Sequence, residues 1–452
     1  MKSINPTSGI VIREYAEYSD HEVRQIIGNV HSEWLIWKGT SFSHRAAVMK
    51  KAAQILRNSK EHYARLMTLE MGKLLRESMA EIEKCAWVCD FYADQAEEML
   101  KDEVIATDAS RSFITFQPIG LVLAVMPWNF PFWQVFRFAA PALMAGNAAV
   151  LKHASNVPGC ALAIEEIFRE AGFPEHLFRT LMIPSSAVET IISNPLIAAI
   201  TLTGSEAAGS QVASLAGKHL KKTVLELGGA DPFIVLEDAD LEIAVKTAVT
   251  ARMLNQGQSC IAAKRFIVVQ SVEQQFEKAL KNAFEALRTG DPMDPDTQVG
   301  PMARPDLVDE IEHQVRSSIA AGARLVTGGS RPNRNGCYYE PTILANICKG
   351  MPVYSQETFG PVVSLISARD EEDAIRIAND SEFGLGGCVW TRNLERGEQV
   401  ARKVETGAMF VNGMTKSDPR LPFGGTKKSG YGRELASYGI KEFVNIKTIW
   451  VG

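Results

Sequence analysis

The stretch LVLAVMPWN (residues 121–129) decides the fold class of this 452-residue chain. Its apolar residues run without interruption from Leu121 to Met126 and stop at Pro127. Strands of a parallel sheet are buried on both faces, so they read as continuous hydrophobic runs rather than as alternating ones. The stretch therefore predicts a central parallel strand that ends in a loop carrying Asn129.

The sequence on both sides of this strand alternates between strand-like runs and helical patterns. Helical periodicity covers residues 21–101, and AAVLKH (148–153) and AAITLTG (198–204) are apolar strands with helical segments between them. A second series of the same kind begins near residue 231. Strands that alternate with helices indicate doubly wound parallel sheets. Because the chain is longer than one hydrophobic core usually serves, we predict an α/β fold with two lobes.

Composition and charge argue against several kinds of partner. The formal net charge of -5 provides no basic field for nucleic acid, and no Lys/Arg-rich block points to a membrane surface. The N-terminal residues contain no apolar targeting segment, and no run approaches the length of a membrane span. We therefore expect neither nucleic acid nor membrane as a partner.

The cysteines indicate a reducing compartment. There are seven of them, an odd number, and they form no CxxC pair. This pattern fits neither a disulfide framework nor a zinc site. Cys85 and Cys89 lie four residues apart, as two core residues on one helix face would. We expect a cytoplasmic protein without a metal site.

Four short stretches place chemically useful side chains beside glycine or proline. They are MPWNFPFW (126–133), LELGG (225–229), NQGQSC (255–260) and SQETFGP (355–361). Each side chain also has a purely structural interpretation: Asn129 as a helix cap, Glu226 as a paired carboxylate, Cys260 as an inert thiol and Glu357 as a turn acid. Taken together, they supply the nucleophile, the carboxamide donor and the general base of thiol-based acyl chemistry.

A fifth stretch, TLTGSEAAG (201–209), is a weaker signal. Gly204 and Gly209 bracket a turn that leaves a buried strand and opens a helix. Such a turn can present backbone N–H groups to a phosphate, although a plain helix start has the same pattern. Its spacing also differs from the GxGxxG of common dinucleotide folds.

The motifs PWNFP, LELGG, GQSC, ETFGP and PFGGTKKSGYGRE (422–434), in this order, resemble the NAD(P)-dependent aldehyde dehydrogenase superfamily. The resemblance covers nearly the whole chain and is nearest to the short bacterial succinate-semialdehyde dehydrogenases. It implies two doubly wound α/β lobes with a small β oligomerisation flap. The implied domains are a dinucleotide-binding domain (1–108 and 119–226), a catalytic domain (227–430) and the flap (109–118 and 431–452). The flap implies a homodimer or a homotetramer.

The resemblance also implies the role of each motif residue. Cys260 is the nucleophile whose thiolate adds to the aldehyde, Asn129 and the Cys260 N–H form the oxyanion hole, and Glu226 activates the water that hydrolyses the thioester. A carboxyl among apolar neighbours has a raised pKa, which suits this base. The residues implied to bind the cofactor are Trp128, Lys152, Ser155, Gly204, Ser205, Gly209, Glu357 and Phe359.

Departures from the family pattern bear on cofactor and substrate. NAD-specific relatives often carry a glutamate where this chain has Ser155, and a hydroxyl does not repel a 2′-phosphate as a carboxylate does. We therefore predict that both NAD and NADP are used. The position of His153 is usually a proline, and the sequence gives no account of this change. Ala262 replaces a second cysteine found in some relatives, so we expect no local disulfide switch.

Arg137 and Ser417 lie where succinate-semialdehyde enzymes of this family bind the substrate carboxylate. A second arginine of some relatives is Leu254 here, and Arg420 is close enough in sequence to supply the missing charge. A guanidinium suits a carboxylate, although Arg137 could instead form a structural ion pair on its helix. Succinate semialdehyde is the expected substrate. The alternatives are a broad-range aldehyde dehydrogenase and a CoA-acylating enzyme, and Glu226 favours hydrolysis over the latter.

Overall fold

The computed structural model describes residues 1–452, which form 20 strands and 15 α-helices. The strands are β1 Lys2–Ile4, β2 Val11–Glu14, β3 Glu103–Val104, β4 Arg111–Pro118, β5 Leu121–Met126, β6 Ala148–His153, β7 Phe178–Thr180, β8 Ile197–Thr203, β9 Lys222–Glu226, β10 Pro232–Val235, β11 Arg265–Val269, β12 Arg324–Thr327, β13 Thr342–Ala345, β14 Val362–Ala368, β15 Phe383–Gly384, β16 Cys388–Trp390, β17 Phe410–Val411, β18 Thr426–Lys427, β19 Gly430–Tyr431 and β20 Val444–Val451. The helices are α1 Asp20–Trp37, α2 Phe42–Asn58, α3 Lys60–Met71, α4 Leu75–Met99, α5 Trp133–Met144, α6 Pro158–Ala171, α7 Val188–Ser193, α8 Glu206–Lys218, α9 Leu241–Met253, α10 Gln270–Glu285, α11 Pro305–Ala320, α12 Pro352–Ser355, α13 Glu371–Asn379, α14 Leu394–Lys403 and α15 Ala436–Ile440.

The first sheet contains the strand that the sequence singled out. Its order is β19-β9-β8-β5-β6-β7, and the five strands from β9 to β7 are parallel. β5 lies between β8 and β6, and only Val125 of its six residues is not fully buried. Burial on both faces explains the continuous apolar run, because neither face of the strand meets water.

The second sheet gives the chain its second lobe. Its order is β12-β13-β14-β11-β10-β16-β17, and all neighbours are parallel except β12 and β13. Two separate apolar clusters cover it, and a larger cluster surrounds the first sheet. The predicted fold class, two α/β lobes, is confirmed.

The predicted helical run at 21–101 consists of four helices, α1 to α4. Ser41 caps the start of α2, and Gly72 ends α3 with a left-handed φ of 79°. Cys85 and Cys89 are both buried on α4, as their spacing predicted. None of the helices combines the length and the apolar character needed to cross a membrane.

A third, three-stranded sheet has the order β20-β4-β3. β20 pairs with β4 along its full length, from Val444 opposite Pro118 to Val451 opposite Arg111. The segments 109–118 and 431–452, which were assigned to the flap, therefore contribute the paired strands β4 and β20, here called the ribbon. The role of this ribbon in assembly stays a prediction. The predicted domain boundaries stay a prediction too, and Tyr431, which was assigned to the flap, pairs with β9 in the first sheet.

Asn147 joins this ribbon to the first lobe. Its Oδ1 accepts hydrogen bonds from the N–H groups of Ile119 (2.9 Å) and Gly120 (3.1 Å), which link β4 to β5. Its Nδ2 donates to the carbonyl oxygen of Phe443 (2.9 Å), directly before β20. One buried amide thus holds both strands of the ribbon against the first sheet.

We expect Asn147→Ala to lower the free energy of unfolding by about 1–3 kcal/mol, because it leaves buried backbone groups without partners. The measurement is a guanidinium unfolding titration against the unchanged protein. Asn445→Ala is the control, since Asn445 is exposed and makes only a 3.4 Å hydrogen bond with Gln117. Equal stability of the two variants would contradict this role of Asn147.

Candidate active site

A cleft of about 1060 Å³ opens at the carboxyl ends of the first sheet. Loops that follow β5, β8 and β9 directly supply Trp128, Gly204 and Gly228 to its wall. Glu357 and Phe359, which precede β14 of the second sheet, form the facing side. Ligands of open α/β sheets bind at this end of the strands, so the position alone makes the cleft a candidate site.

A second cavity of about 200 Å³ lies beside the cleft. Its wall includes Lys84, Trp133, Arg137 and Ser417. Cys260 lines both the cleft and this cavity. The thiol can therefore be approached from two sides, one large enough for a dinucleotide and one suited to a small molecule.

The loop before Cys260 has an unusual backbone. Asn255, Gln256 and Gly257 have φ values of 51°, 55° and 75°, in the left-handed region that side chains other than glycine's rarely adopt. A Cβ at Gly257 would overlap the carbonyl oxygen of Gly360. Gly257 therefore allows the loop to pack closely against the neighbouring segment.

Arg252 accounts for this backbone conformation. Its guanidinium is fully buried and donates hydrogen bonds to four backbone carbonyl oxygens. The acceptors are Ala263 (2.9 Å), Gly257 (2.7 Å), Thr358 (3.1 Å) and Gly360. One cation therefore ties the cysteine loop to the loop that carries Glu357 and Phe359. No local sequence pattern indicates this role of Arg252, because only the fold brings these acceptors together.

Lys264 forms a second link between the same two loops. Its buried ammonium donates to the carbonyl oxygens of Ser259 (2.9 Å), Cys260 (2.8 Å) and Ala262 (3.2 Å). It also lies 3.4 Å from the Glu357 carboxylate, which accepts the Gly229 N–H at 3.0 Å. Sequence reasoning missed Lys264 as well.

Asn129 lies against the cysteine loop. Its Nδ2 donates to the carbonyl oxygen of Gln258 (3.1 Å), and Asn255 donates to the Asn129 carbonyl oxygen (2.8 Å). The backbone N–H of Cys260 donates to no protein acceptor. An amide and a free N–H on the same cleft wall can serve as donors to an oxyanion.

Burial and nearby charges act in opposite directions on the Cys260 thiol. Burial raises its pKa to about 12, the carboxylates of Glu357 and Glu226 act in the same direction, and the positive charges of Arg137 and Lys264 oppose them. The reaction expected from the sequence requires an ionised sulfur at the moment of attack. In this environment a base must remove the proton before the sulfur attacks.

Glu226 ends β9 and is only 1% exposed. Burial raises the pKa of its carboxyl well above the usual range, and both oxygens lack a hydrogen-bond partner. The carboxyl lies beside the backbone of Gly424, while its neighbours Leu227 and Gly228 line the cleft. A buried carboxyl with free oxygens and a raised pKa has the properties of a general base near neutral pH.

Arg137 faces the small cavity from α5, but it is not a free cation. Its guanidinium pairs with the buried carboxylate of Glu434, the last residue of the PFGGTKKSGYGRE motif, and lies 4.7 Å from the centre of the Phe423 ring. The ion pair that the sequence left open as an alternative is therefore present. Glu434 is a further residue at the site, and the sequence motif alone did not identify its role.

The profile of the aldehyde dehydrogenase family matches residues 1–449. The chain belongs to the aldehyde dehydrogenase family. It is 54% identical to a probable succinate-semialdehyde dehydrogenase (NADP+) of Synechocystis sp., with 99% of each chain covered. It is 48% identical to succinate-semialdehyde dehydrogenase (NADP+) 1 of Mycobacterium tuberculosis, again over 99% of each chain. The crystal structure of succinic semialdehyde dehydrogenase from Streptococcus pyogenes in complex with NADP+ has a TM-score of 0.98 and 39% identity, covering 100% of this chain and 99% of that one.

Membership makes this chain an NAD(P)-dependent oxidoreductase that acts on aldehydes, and the large cleft fits such a cofactor. Ser205 caps α8 by accepting the Ala208 N–H (3.3 Å), so the helix N-terminus faces the cleft beside Gly204 and Glu206. This end of a helix suits a pyrophosphate. Gly209 does not line the cleft but packs against Leu227, where a Cβ would not fit.

The opposite end of the cleft of this aldehyde dehydrogenase is aromatic. Trp128 and Phe359 meet edge to face, with ring centroids 5.8 Å apart. Glu357 lies beside them, and a Cβ at Gly228 would overlap its carboxylate. A flat ring with a ribose attached fits between apolar faces and a carboxylate acceptor.

Lys152 and Ser155 lie at the end of β6, outside the main wall of the cleft. Lys152 is buried and donates to the Ser185 hydroxyl (3.1 Å), while Ser155 is exposed. His153, between them, accepts the Ala154 N–H at Nδ1 and contacts the Pro131 carbonyl oxygen through Nε2 (2.9 Å). Burial lowers the pKa of His153 to about 4, so a neutral imidazole connects this strand end to the PWNFP loop.

Two further expectations concern the small cavity. Ser417 lines it and accepts a hydrogen bond from Lys84 (2.6 Å). Arg420 does not reach the cavity, because its exposed guanidinium pairs with Asp418 and lies 5.5 Å from the Trp87 ring. The suggestion that Arg420 supplies the charge missing at Leu254 is therefore not supported by the structure.

We expect Gly257→Ala to lower kcat by about a hundredfold or more, because the loop must move away from Gly360 and misplace the cysteine. The measurement is steady-state oxidation of an aldehyde, together with the thermal unfolding midpoint. Gly217→Ala is the matched control, since a Cβ at Gly217 meets no atom within 4 Å. An unchanged kcat in Gly257→Ala would show that this packing does not hold the cysteine.

Proposed function

We propose that this aldehyde dehydrogenase oxidises succinate semialdehyde to succinate, with NADP or NAD as cofactor and Cys260 as nucleophile. The observation that carries the proposal is that Cys260 lines both a dinucleotide-sized cleft and a small cavity with cationic and hydroxyl groups on its wall. The names of the relatives support the same substrate.

In the first step, the Cys260 sulfur adds to the aldehyde carbon and the carbonyl oxygen becomes an alkoxide. The thiol proton passes to water in the cleft, and the positive charges of Arg137 and Lys264 favour the thiolate that forms. Asn129 and the Cys260 N–H donate to the alkoxide, and each such donor is typically worth about a hundredfold in rate.

A bound nicotinamide would supply the acceptor for the hydride that the tetrahedral carbon must lose to leave a thioester on Cys260. Glu357, which Lys264 and the Gly229 N–H hold in place, would accept from the ribose. Trp128 and Phe359 would pack against the ring, and Gly204 and Ser205 at the start of α8 would bind the pyrophosphate. Together these groups would hold the cofactor next to the sulfur.

Hydrolysis of the thioester requires an activated water, and activating this water is the task of Glu226. Its two oxygens have no protein partner, so they are available to accept a proton from water. The side chain must turn from Gly424 towards Cys260 to do so. Because only the deprotonated carboxyl is a base, the rate of this step should rise with pH until Glu226 is fully ionised.

Arg137 provides positive potential at the closed end of the small cavity, and Ser417 provides a hydroxyl. The pairing of Arg137 with Glu434 reduces the charge available to a substrate carboxylate. The geometry therefore supports a role of Arg137 in binding that carboxylate less strongly than the sequence resemblance does.

Exposed Ser155 supports the use of NADP, because no carboxylate at that position repels a 2′-phosphate. The relatives carry NADP(+) in their names. The exposed Ile446 and Trp450 on β20 support assembly through the ribbon as a homodimer or homotetramer. A cytoplasmic location stays a prediction from the cysteine pattern.

We expect Cys260→Ser to reduce activity more than a thousandfold. We expect Glu226→Gln to release about one reduced cofactor per site in a burst and then to turn over at least a hundredfold more slowly. The measurement is absorbance of reduced cofactor with succinate semialdehyde in stopped-flow and steady-state experiments. Cys348→Ser is the control, because Cys348 is exposed and outside both cavities.

Two results would contradict this function. A rate that coenzyme A stimulates would indicate thioester transfer instead of hydrolysis. Equal kcat/KM for succinate semialdehyde and butanal, which lacks the carboxylate, would indicate a broad-range aldehyde dehydrogenase.

We expect Ser155→Glu to lower kcat/KM with NADP by about ten- to a hundredfold and to leave kcat/KM with NAD nearly unchanged, because a carboxylate repels the 2′-phosphate. Ser155→Ala separates this repulsion from loss of the hydroxyl. If Ser155→Glu affected both cofactors equally, Ser155 would not face the 2′ position.

A further inference from the structure

The small cavity contains a cation that the proposed reaction has not used. Lys84 projects from α4, is half-buried, and lines the cavity together with Cys260. Its Nζ donates to the Ser417 hydroxyl at 2.6 Å and lies 4.2 Å from the centre of the Trp133 ring. No carboxylate lies within ion-pairing distance of it, although 35 ion pairs occur elsewhere in the protein.

The other cations near this cavity are differently placed. Arg137 pairs with the buried Glu434 carboxylate, and Lys73 pairs with Glu81, whose other oxygen accepts the N–H groups at the start of α5. Lys416 is exposed to solvent, which screens its charge. Lys84 is thus the cation at this wall that is both shielded from water and without an anionic partner.

Leu254 lies on the same wall as Lys84. Leu254 carries no charge, so this part of the cavity lining is apolar. The ammonium of Lys84 and the hydroxyl of Ser417 supply a charge and a donor group in one place. Hydrogen bonds from both to a carboxylate are charge-assisted and stronger than neutral ones.

We propose that Lys84 and Ser417 bind the distal carboxylate of the substrate and so determine the preference of this enzyme for a semialdehyde acid. This proposal rests on the proposed function and names the group that selects its substrate. The Trp133 ring and the Ser417 hydroxyl hold the ammonium in position before the substrate arrives, which reduces the entropy lost on binding.

The charges around Lys84 are compatible with binding of an anion at this position. Burial lowers the pKa of Lys84 to about 8, and Arg137 on α5 lowers it further. Glu81 on its own helix and Asp418 after the cavity loop act in the opposite direction without contacting it. The titratable and charged groups that face Lys84 are Glu77, Glu81 and Cys85 on α4, Arg137 on α5, and Lys416 and Asp418 on the facing loop. A carboxylate beside the ammonium would offset its desolvation.

The test compares succinate semialdehyde with butanal in the intact enzyme. We expect Lys84→Met to lower kcat/KM for succinate semialdehyde by about 10- to 100-fold, mainly through KM, and to leave butanal nearly unaffected. Lys84→Arg should restore most of the preference, and Ser417→Ala should lose part of it. Lys51→Met is the control, because Lys51 is an exposed lysine on α2 without an ion-pair partner.

A pH profile provides a readout that a structural role would not change. The ratio of kcat/KM for the two aldehydes should fall as the pH rises through about 8, because the Lys84 ammonium loses its proton. The Cys260 and Glu226 ionisations affect both aldehydes and cancel in the ratio. In Lys84→Arg the fall near pH 8 should disappear, because a guanidinium keeps its charge, whereas any change near pH 7 that comes from Glu77 should remain.

Three results would overturn the proposal. If Lys84→Met kept the preference of the unchanged enzyme, or if its kcat/KM fell equally for both aldehydes, Lys84 would not bind the carboxylate. The proposed function would then still stand. If the unchanged enzyme did not prefer succinate semialdehyde over butanal, both proposals would fail together.

Discussion

The geometry of this active site depends on one buried guanidinium. Arg252 lies on neither wall of the cleft, yet its hydrogen bonds to Gly257, Thr358 and Gly360 join the loop of the nucleophile to the loop of the ribose acid. Buried charges are costly unless hydrogen-bonded, and here backbone carbonyl oxygens provide the partners. Because the two loops belong to segments about a hundred residues apart, this interaction sets the distance between the sulfur and the cofactor site. Lys264 links the same two loops through hydrogen bonds to backbone carbonyl oxygens and through the Glu357 carboxylate.

The balance of burial and charge at the site sets the pKa values of its two reactive groups. Desolvation is the largest effect on the pKa values of both Cys260 and Glu226, and it raises both. Arg137 and Lys264 oppose this effect for the sulfur without cancelling it. The raised pKa suits Glu226 to act as a base near neutral pH, whereas the Cys260 thiol must lose its proton before it reacts.

Contiguous motifs allowed much of this to be predicted. The uninterrupted apolar run at 121–126 predicted a central parallel strand, which the structure contains. The motif residues also meet at one cleft, namely Asn129, Cys260, Glu357 and Phe359. Arg252, Lys264 and Lys84 could not be predicted, because their partners are backbone atoms or side chains that lie near only after folding. Gly209 had a phosphate-loop pattern but serves helix packing, since a short spacing motif does not distinguish the two uses. The raised pKa of the Cys260 thiol could not be predicted either, because burial cannot be read from a polar, glycine-containing loop.

The protonated state of Cys260 also bears on how long the enzyme survives. Peroxide and alkylating agents attack the thiolate and react slowly with the neutral thiol. A nucleophile that stays protonated until its substrate is bound spends little time in the form that can become sulfenic acid. The raised pKa therefore slows oxidation of a sulfur that borders two cavities. The environment that delays catalysis also makes the enzyme chemically more durable.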